Sequence, residues 1–206
     1  MKNRRAEVAL AVAALALAGC TIQKLGDSGW VTLIEGHAGL DNFNQVGDAN
    51  WRMEGGAIVA DKAANGGYLV SKKSYRDFEI RAEFWAAADT NSGVFLRCAD
   101  PQKMGAVGCY EVNIWDTRPD PSYGTGAIVD TARVPVPIAY KAGGQWNTYE
   151  IYARGSQLTV KLNGVVTASV DNSRRDAGPF ALQFGNLAKN APGGPIMWRK
   201  VQIKEL

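Results

Sequence analysis

Short runs of β-type residues, separated by turn residues, fill the chain from Trp30 to its C-terminal end. In residues 78–86 apolar side chains occupy every second position, which is the period of a strand with one buried face. Asn163-Gly164 joins two apolar runs, and Asn-Gly favours the type I′ turn of a β-hairpin. No segment beyond residue 28 keeps a helical period. The pattern predicts an all-β fold, a sandwich of two antiparallel sheets.

The bounds of the predicted strands follow from these runs and from the Gly, Pro, Asn and Asp residues between them. The predicted strands are residues 30–34, 51–53, 57–60, 68–70, 78–86, 93–97, 110–115, 126–129, 146–153, 157–162, 165–170, 180–184 and 196–203. Residues 116–145 and 186–195 are rich in Gly and Pro, so we expect loops there. Long loops on a rigid sandwich commonly carry function.

The N-terminus has the parts of an export signal. Residues 2–5 include three basic side chains, residues 8–17 are apolar, and the sequence Leu-Ala-Gly-Cys ends at Cys20. This ending resembles a bacterial lipobox, which implies cleavage before Cys20 and lipidation of that residue. The alternative is an ordinary secretory signal that leaves Cys20 free. The apolar run is too short to span a bilayer, which takes about 20 residues.

We therefore expect three parts along the chain. Residues 1–19 form a lipoprotein signal peptide, residues 20–28 hold the lipidated Cys20 and a tether, and residues 29–206 form one domain. The predicted protein is exported and held at a membrane surface by its lipid. Thr21, and not Asp, follows the cysteine, and the resemblance to Gram-negative lipoproteins favours the outer membrane if the source is Gram-negative.

Two cysteines remain in the predicted domain. With Cys20 lipidated, Cys98 and Cys109 form an even pair in an exported protein, so the sequence predicts a disulfide between them. The chain has a single His, and two cysteines with one histidine do not favour a zinc site. The formal net charge is +3, and no basic stripe or RNA-binding motif points to a nucleic-acid partner.

The polar residues around this cysteine pair are the candidate functional site. Residues 91–97 and 110–116 are apolar-rich runs that carry polar side chains a core strand does not need. If the runs pair in one sheet, Arg97 and Glu111 can share a wall, and the period of two places Asn113 and Trp115 with Glu111. A cation, a carboxylate, an amide and an indole on one wall are typical of a carbohydrate site. The alternative is that Glu111 and Arg97 form only a cross-strand ion pair.

Further candidate residues flank these runs. A bulge before Asp116 could return its carboxylate to the face of Glu111. Trp115 can stack on a sugar ring or fill the core, and Gln183 can bind a hydroxyl or face solvent. Asp116, Asp120 and Asp130 lie in one loop region, so a divalent metal ion with oxygen ligands stays open as a cofactor.

The sequence resembles the 3-keto-disaccharide hydrolase domain family, formerly catalogued as a domain of unknown function, from about residue 30 to residue 206. The matching blocks are residues 77–84 (DFEIRAEF), 91–97 (NSGVFLR), 110–116 (YEVNIWD), 124–128 (GTGAI), 144–151 (GQWNTYEI), 162–164 (LNG), 178–183 (GPFALQ) and 198–206 (WRKVQIKEL). The resemblance implies a concanavalin A-like jelly-roll sandwich and cleavage of a glycoside whose sugar is oxidised at C3.

A C3 ketone acidifies the neighbouring C2 proton, so a carboxylate can remove it and the C1 substituent can leave. Carried over to this sequence, the resemblance implies Glu111 as the base, Arg97 as the clamp on the oxyanion or a hydroxyl, and Asp116 as an acid or ion ligand. Asn91, Asn113 and Gln183 would position hydroxyls. A partner sugar oxidoreductase would supply the ketone.

Three positions depart from the family pattern. The family tends to have an aromatic residue where Val129-Asp130 stand, Gln at position 113 and His near Phe184-Gly185. Loss of a polar contact can change the substrate or end activity. A lipid-anchored carbohydrate-binding module that holds glycan without cleaving it is therefore the second hypothesis, because this fold hosts both functions. A structural lipoprotein is the third.

Overall fold

The structure is a computed structural model that describes residues 29–188 and 191–206. The predicted signal peptide, Cys20 and the tether lie outside the described residues and stay predictions. Within the described residues, no helix has the length and apolar character needed to cross a membrane. The strands are β1 (Trp30–Glu35), β2 (Phe43–Gly47), β3 (Arg52–Glu54), β4 (Ala57–Ala60), β5 (Gly67–Tyr75), β6 (Phe78–Ala86), β7 (Asn91–Leu96), β8 (Tyr110–Ile114), β9 (Trp146–Arg154), β10 (Gln157–Leu162), β11 (Val165–Asp171), β12 (Gly178–Ala188), β13 (Ala191–Pro192) and β14 (Ile196–Glu205). Single 3₁₀ turns cover Leu40–Asn42 and Pro121–Tyr123.

These strands form two antiparallel sheets. The eight-stranded sheet, here called the back sheet, has the order β11-β10-β9-β6-β14-β4-β3, and β1 also pairs with β14. The six-stranded sheet, here called the front sheet, has the order β2-β5-β12-β7-β8, and β13 also pairs with β12. The two-sheet antiparallel sandwich predicted from the sequence is confirmed.

The core fills the space between the two sheets. In β6, Phe78, Ile80 and Phe84 are fully buried, while Glu79 and Arg81 between them point outward. The period of two seen in the sequence is therefore the period of burial. Aromatic rings occupy the centre, where Phe84 packs 5.0 Å from Tyr149 and 5.6 Å from Trp198 between ring centroids.

Several segments differ from the predicted strands. β5 continues to Tyr75, past the predicted end at residue 70, and the end of β12 and all of β13 lie in the predicted loop of residues 186–195. β2 was not predicted, because its buried Phe43 is followed by exposed Asn44 and Gln45 and shows no clear alternation. Residues 126–129, predicted as a strand, form an irregular segment along β8, in which Ile128 makes isolated bridges to Val112 and to Ala132.

The predicted disulfide between Cys98 and Cys109 is confirmed, and it closes the loop between β7 and β8. Two arginines from the β11–β12 connection hold the same loop. Arg174 donates to the carbonyl of Cys109 at 2.6 Å, and Arg175 donates to the carbonyl of Gly108 at 3.0 Å. The loop is therefore anchored at the edge of the front sheet.

Candidate functional site

The candidate site lies on the outer face of the front sheet. Core residues of these strands alternate with side chains that point outward, because successive strand residues face opposite sides. The strand register aligns the outward residues in two rows. One row holds Val46, Tyr68, Gln183, Gly93 and Asn113, and the other holds Asn44, Val70, Ala181, Phe95 and Glu111. Glu111 and Asn113 share this face, as the period of two predicts, and Gln183 joins them from a distant strand.

Gly93 forms the floor between Glu111 and Gln183. A Cβ atom at position 93 would lie 3.6 Å from Gln183 Oε1, 3.6 Å from Glu111 Cγ and 2.9 Å from the carbonyl oxygen of Val112. The missing side chain therefore lets the carboxyl and the amide approach each other over bare backbone.

Two buried amide oxygens on this face have no hydrogen-bond partner among the described residues, Gln183 Oε1 and Asn113 Oδ1. The nitrogens of the same amides are engaged, because Gln183 Nε2 lies 3.4 Å from the hydroxyl of Tyr68 and Asn113 Nδ2 donates to the carbonyl of Tyr123 at 2.6 Å. A buried acceptor without a donor is costly. A hydroxyl group of a bound sugar could supply the donor that Gln183 lacks, whereas Asn113 is fully buried.

Glu111 is only 8% exposed. Burial is the largest influence on its carboxyl group and raises the pKa from 4.5 to about 7, while Arg118 lowers the pKa and Asp130 raises it. Removal of the carboxylate from water disfavours the charged form. A carboxyl with this pKa takes up and releases a proton near neutral pH, which is the property that a general base needs.

The raised pKa predicts that Glu111 destabilises the fold at alkaline pH. The unfolded chain has the ordinary pKa of 4.5, so the stability that Glu111 contributes is fully present below pH 4.5 and is lost as pH rises through about 7. Glu111→Gln stays neutral at every pH. We expect it to exceed the wild type in free energy of unfolding by about 3 kcal/mol at pH 8.5 and to match it near pH 4.5.

Urea unfolding at the two pH values measures this difference. Glu83→Gln is the matched control, because Glu83 lies on the back sheet with its side chain 33% exposed. The control should show no comparable gain between the two pH values. An equal effect of Glu111→Gln at both pH values would contradict the prediction.

The structure places Arg97 away from Glu111, so the predicted shared wall and its ion pair are wrong. The guanidinium donates to the carbonyls of Arg76 at 2.8 Å and Gly155 at 2.7 Å, and it pairs with Asp77 at 3.2 Å. Arg97 has a positive φ of 50°, which turns the chain out of β7 and ends the alternation. The side chain is fully buried in a structural role, so it does not clamp a ligand beside Glu111.

Asp116 also does not join Glu111, and the predicted bulge that would return it is absent from this part of the described chain. Its carboxylate accepts hydrogen bonds from Thr125 Oγ1 at 2.6 Å, from the amide of Ala142 at 3.0 Å and from the amide of Gly143 at 2.8 Å. These bonds tie the end of the long loop to the end of β8. Asp116 therefore has a structural role, and its role as an acid or ion ligand stays a prediction.

The predicted cluster of Asp116, Asp120 and Asp130 does not form a metal site. Asp120 accepts from the amide and hydroxyl of Ser122 at the start of a 3₁₀ turn, and Asp130 is exposed in a turn. Among the described residues, no group of three or more His, Cys, Asp or Glu side chains is arranged to hold a metal ion.

Asn91 and Trp115 lie at the margin of the site. Asn91 is half-buried, and its amide donates to the carbonyl of Asn186 at 2.7 Å. Trp115 is half-buried with the Arg118 guanidinium 5.4 Å from its ring centroid. Its indole Nε1 is buried and has no partner within the described chain. Trp115 is therefore neither a full core residue nor an open stacking platform.

Sequence reasoning did not identify Tyr68, Gly93 or Arg118 as site residues. Tyr68 packs edge-on against Phe95, with 5.3 Å between ring centroids, and its hydroxyl lies beside Gln183. The signal for Tyr68 was its alternation with Leu69 in a predicted strand, but only the order β5-β12-β7-β8 brings it to the site.

Comparison with known proteins gives one family match. The family model described as 3-keto-alpha-glucoside-1,2-lyase-like domain matches residues 29–204. No curated protein sequence matches the chain.

Solved structures share the fold. A protein of Parabacteroides distasonis ATCC 8503, provisionally described as a glycosyl hydrolase, is 23% identical with a TM-score of 0.68, and the match covers 86% of this chain and 99% of that one. The carbohydrate binding module CBM66 from Bacillus subtilis is 14% identical with a TM-score of 0.53 and coverages of 86% and 96%. The exoplasmic domain of VIP36 is 10% identical with a TM-score of 0.58 and coverages of 85% and 89%. At these identities the likeness shows the fold alone.

Proposed function

Because the chain belongs to the 3-keto-alpha-glucoside-1,2-lyase-like domain family, we propose that it cleaves glycosides whose sugar carries a ketone at C3. The observation that supports this function is Glu111, a buried carboxyl with a pKa of about 7 that lies beside Gly93, as does the free acceptor of Gln183. A carboxyl tuned in this way is suited to remove a proton from carbon next to a ketone.

The proposed reaction begins when the Glu111 carboxylate takes the C2 proton. The electron pair of the C2–H bond forms the C2–C3 double bond, and the C3 carbonyl oxygen becomes an enediolate oxygen. When the negative charge on the enediolate oxygen re-forms the C3 ketone, the C2–C3 electron pair makes a C1–C2 double bond, and the bond from C1 to its substituent breaks. The substituent takes up a proton and leaves as an alcohol. Addition of water to the C1–C2 double bond would complete a hydrolysis.

The enediolate needs a hydrogen-bond donor, and Arg97 is not available for that role. We assign the donor role to the Tyr68 hydroxyl and the Gln183 amide, which lie 3.4 Å apart on the same face as Glu111. Burial raises the pKa of Tyr68, so its hydroxyl keeps its proton at neutral pH and can donate it in a hydrogen bond. Fixed donors aimed at developing charge are usually a large part of catalysis.

The test is incubation of the purified chain with 3-keto-trehalose and with unmodified trehalose, with and without EDTA, while released glucose is followed. We expect release from the keto sugar alone, because only the ketone acidifies C2. Release from both sugars would contradict the ketone-dependent mechanism. Binding of either sugar without release would favour a carbohydrate-binding module, a role that also fits the free amide acceptors.

The chemistry implies an upstream partner. A substrate already oxidised at C3 must be made by an enzyme that removes two electrons from a sugar hydroxyl, so we propose that a sugar oxidoreductase supplies the substrate. We also propose that lipidation of Cys20 holds the domain at a membrane surface.

A further inference from the structure

A groove lies on the outer face of the back sheet, on the opposite side of the sandwich from Glu111. It has a volume of about 390 Å³ and crosses β6, β9 and β10, with Trp30 at one edge. This volume is in the range of small-molecule sites, about 300 to 1,000 Å³. The groove goes beyond the function proposed above, because no residue of the front sheet lines it.

Charged side chains cross this groove in a row. Arg81, Glu150 and Lys161 are direct neighbours on three adjacent strands, and Glu79 and Tyr152 face each other in the next row. Within the described residues, none of these five side chains makes a hydrogen bond or ion pair. Their polar atoms are therefore open to a ligand.

At the other end of the outer face of the back sheet, charged side chains form ion pairs. There Glu83 binds Arg199 at 2.6 Å, and Glu35 lies 3.5 Å from Lys200. Cross-strand neighbours of opposite charge on an exposed sheet ordinarily pair in this way. The groove therefore gathers unpaired charges of both signs, whereas oppositely charged neighbours at the other end of this face form pairs.

Aromatic surface accompanies the unpaired charges. The guanidinium of Arg81 lies 4.2 Å from the centroid of the Trp30 ring, a cation–π contact that orients both side chains. Tyr152 adds a second ring within the same groove. Aromatic faces bind the C–H faces of sugars, and carboxylates, hydroxyls and ammonium groups bind sugar hydroxyls.

We propose that this groove binds a short segment of a neutral oligosaccharide. The charged lining residues are two acidic and two basic ones, Glu79, Glu150, Arg81 and Lys161, so the groove favours neither an anion nor a cation. A neutral ligand rich in hydroxyls matches unpaired charges of both signs beside aromatic rings. The groove would hold glycan on the back sheet while the front sheet acts on a separate sugar.

The test is titration of the ¹⁵N-labelled protein with neutral hexaoses of the cello-, laminari-, malto- and xylo- series, followed by amide NMR shifts. We expect at least one hexaose to shift amides of β6, β9 and β10 around the groove. The double variant Glu150→Gln with Tyr152→Ala should weaken that binding by about tenfold, because it removes one carboxylate acceptor and one ring.

Glu83→Gln is the matched control, since it makes the same carboxylate-to-amide change on β6 outside the groove. It should leave the affinity unchanged. Shifts confined to β8 and β12 would place binding at Glu111 instead and would overturn the proposal. So would the absence of shifts with all four hexaoses, or equal affinity in the double variant and the wild type.

Discussion

Glu111→Gln is expected to lower kcat/KM for a 3-keto glycoside by about 10²- to 10⁴-fold, the contribution of a positioned general base. Gln has nearly the shape of Glu but cannot accept the C2 proton. The buried position at the floor formed by Gly93 is otherwise unchanged, so loss of rate reports loss of the base. Released alcohol at pH 8, measured with 3-keto-trehalose, gives the comparison.

The stability of the variant separates chemistry from folding. Glu111→Gln is expected to be more stable than the wild type at this pH, because the buried carboxylate is removed. A slow enzyme that resists urea better than the wild type would therefore have lost its base and kept its fold. In the wild type, kcat/KM should rise with pH through about 7 as the Glu111 carboxyl loses its proton. Turnover by Glu111→Gln equal to that of the wild type would show that another group is the base.

Arg97→Met is expected to lower the free energy of unfolding by about 3 kcal/mol or more, because several acceptors lose their donor at a cost of about 1 to 3 kcal/mol each. The side chain is fully buried and donates to the carbonyls of Arg76, Gly155 and Arg175 and to Asp77. Met fills similar volume but leaves these acceptors without a donor. Met and Arg bear the same penalty at a positive φ, so backbone strain does not enter the difference.

Arg76→Met is the matched control for that experiment. Arg76 is exposed and lies 3.8 Å from Asp176, also exposed, so its loss should cost less than about 1 kcal/mol. Urea unfolding of both variants at one pH gives the comparison. The folded fraction of Arg97→Met should keep its kcat, because Arg97 does not reach the candidate site. A large drop in kcat without a drop in stability would restore Arg97 as a ligand clamp.

Much of the fold was predictable from local patterns. The alternation in β6, the Asn163-Gly164 turn and the Cys98–Cys109 pair each depend on residues close in sequence, and the structure confirms all three. β2 was not predicted because its exposed residues leave no alternation of apolar and polar side chains. Whether a segment forms a strand depends largely on its own residues, so short stretches of sequence predict most of the strands.

The candidate site was predictable only in part. The period of two correctly placed Glu111 and Asn113 on one face, and Gln183 was a candidate from its own strand. The period of two also predicted that Arg97 lies on that face, but its left-handed backbone conformation turns the side chain away from Glu111. A single residue outside the strand region of φ and ψ is enough to end the alternation of side chains between the two faces.

The sequence by itself determined most of the strands, which of their faces are apolar and which family the chain resembles. These properties depend on side-chain chemistry along the chain. Only the tertiary structure decided that Tyr68, Gln183 and Gly93 meet Glu111, because β5, β12, β7 and β8 become neighbours through pairing over long sequence distances. It also decided the pKa of Glu111, since desolvation depends on everything packed around a group and not on its sequence neighbours.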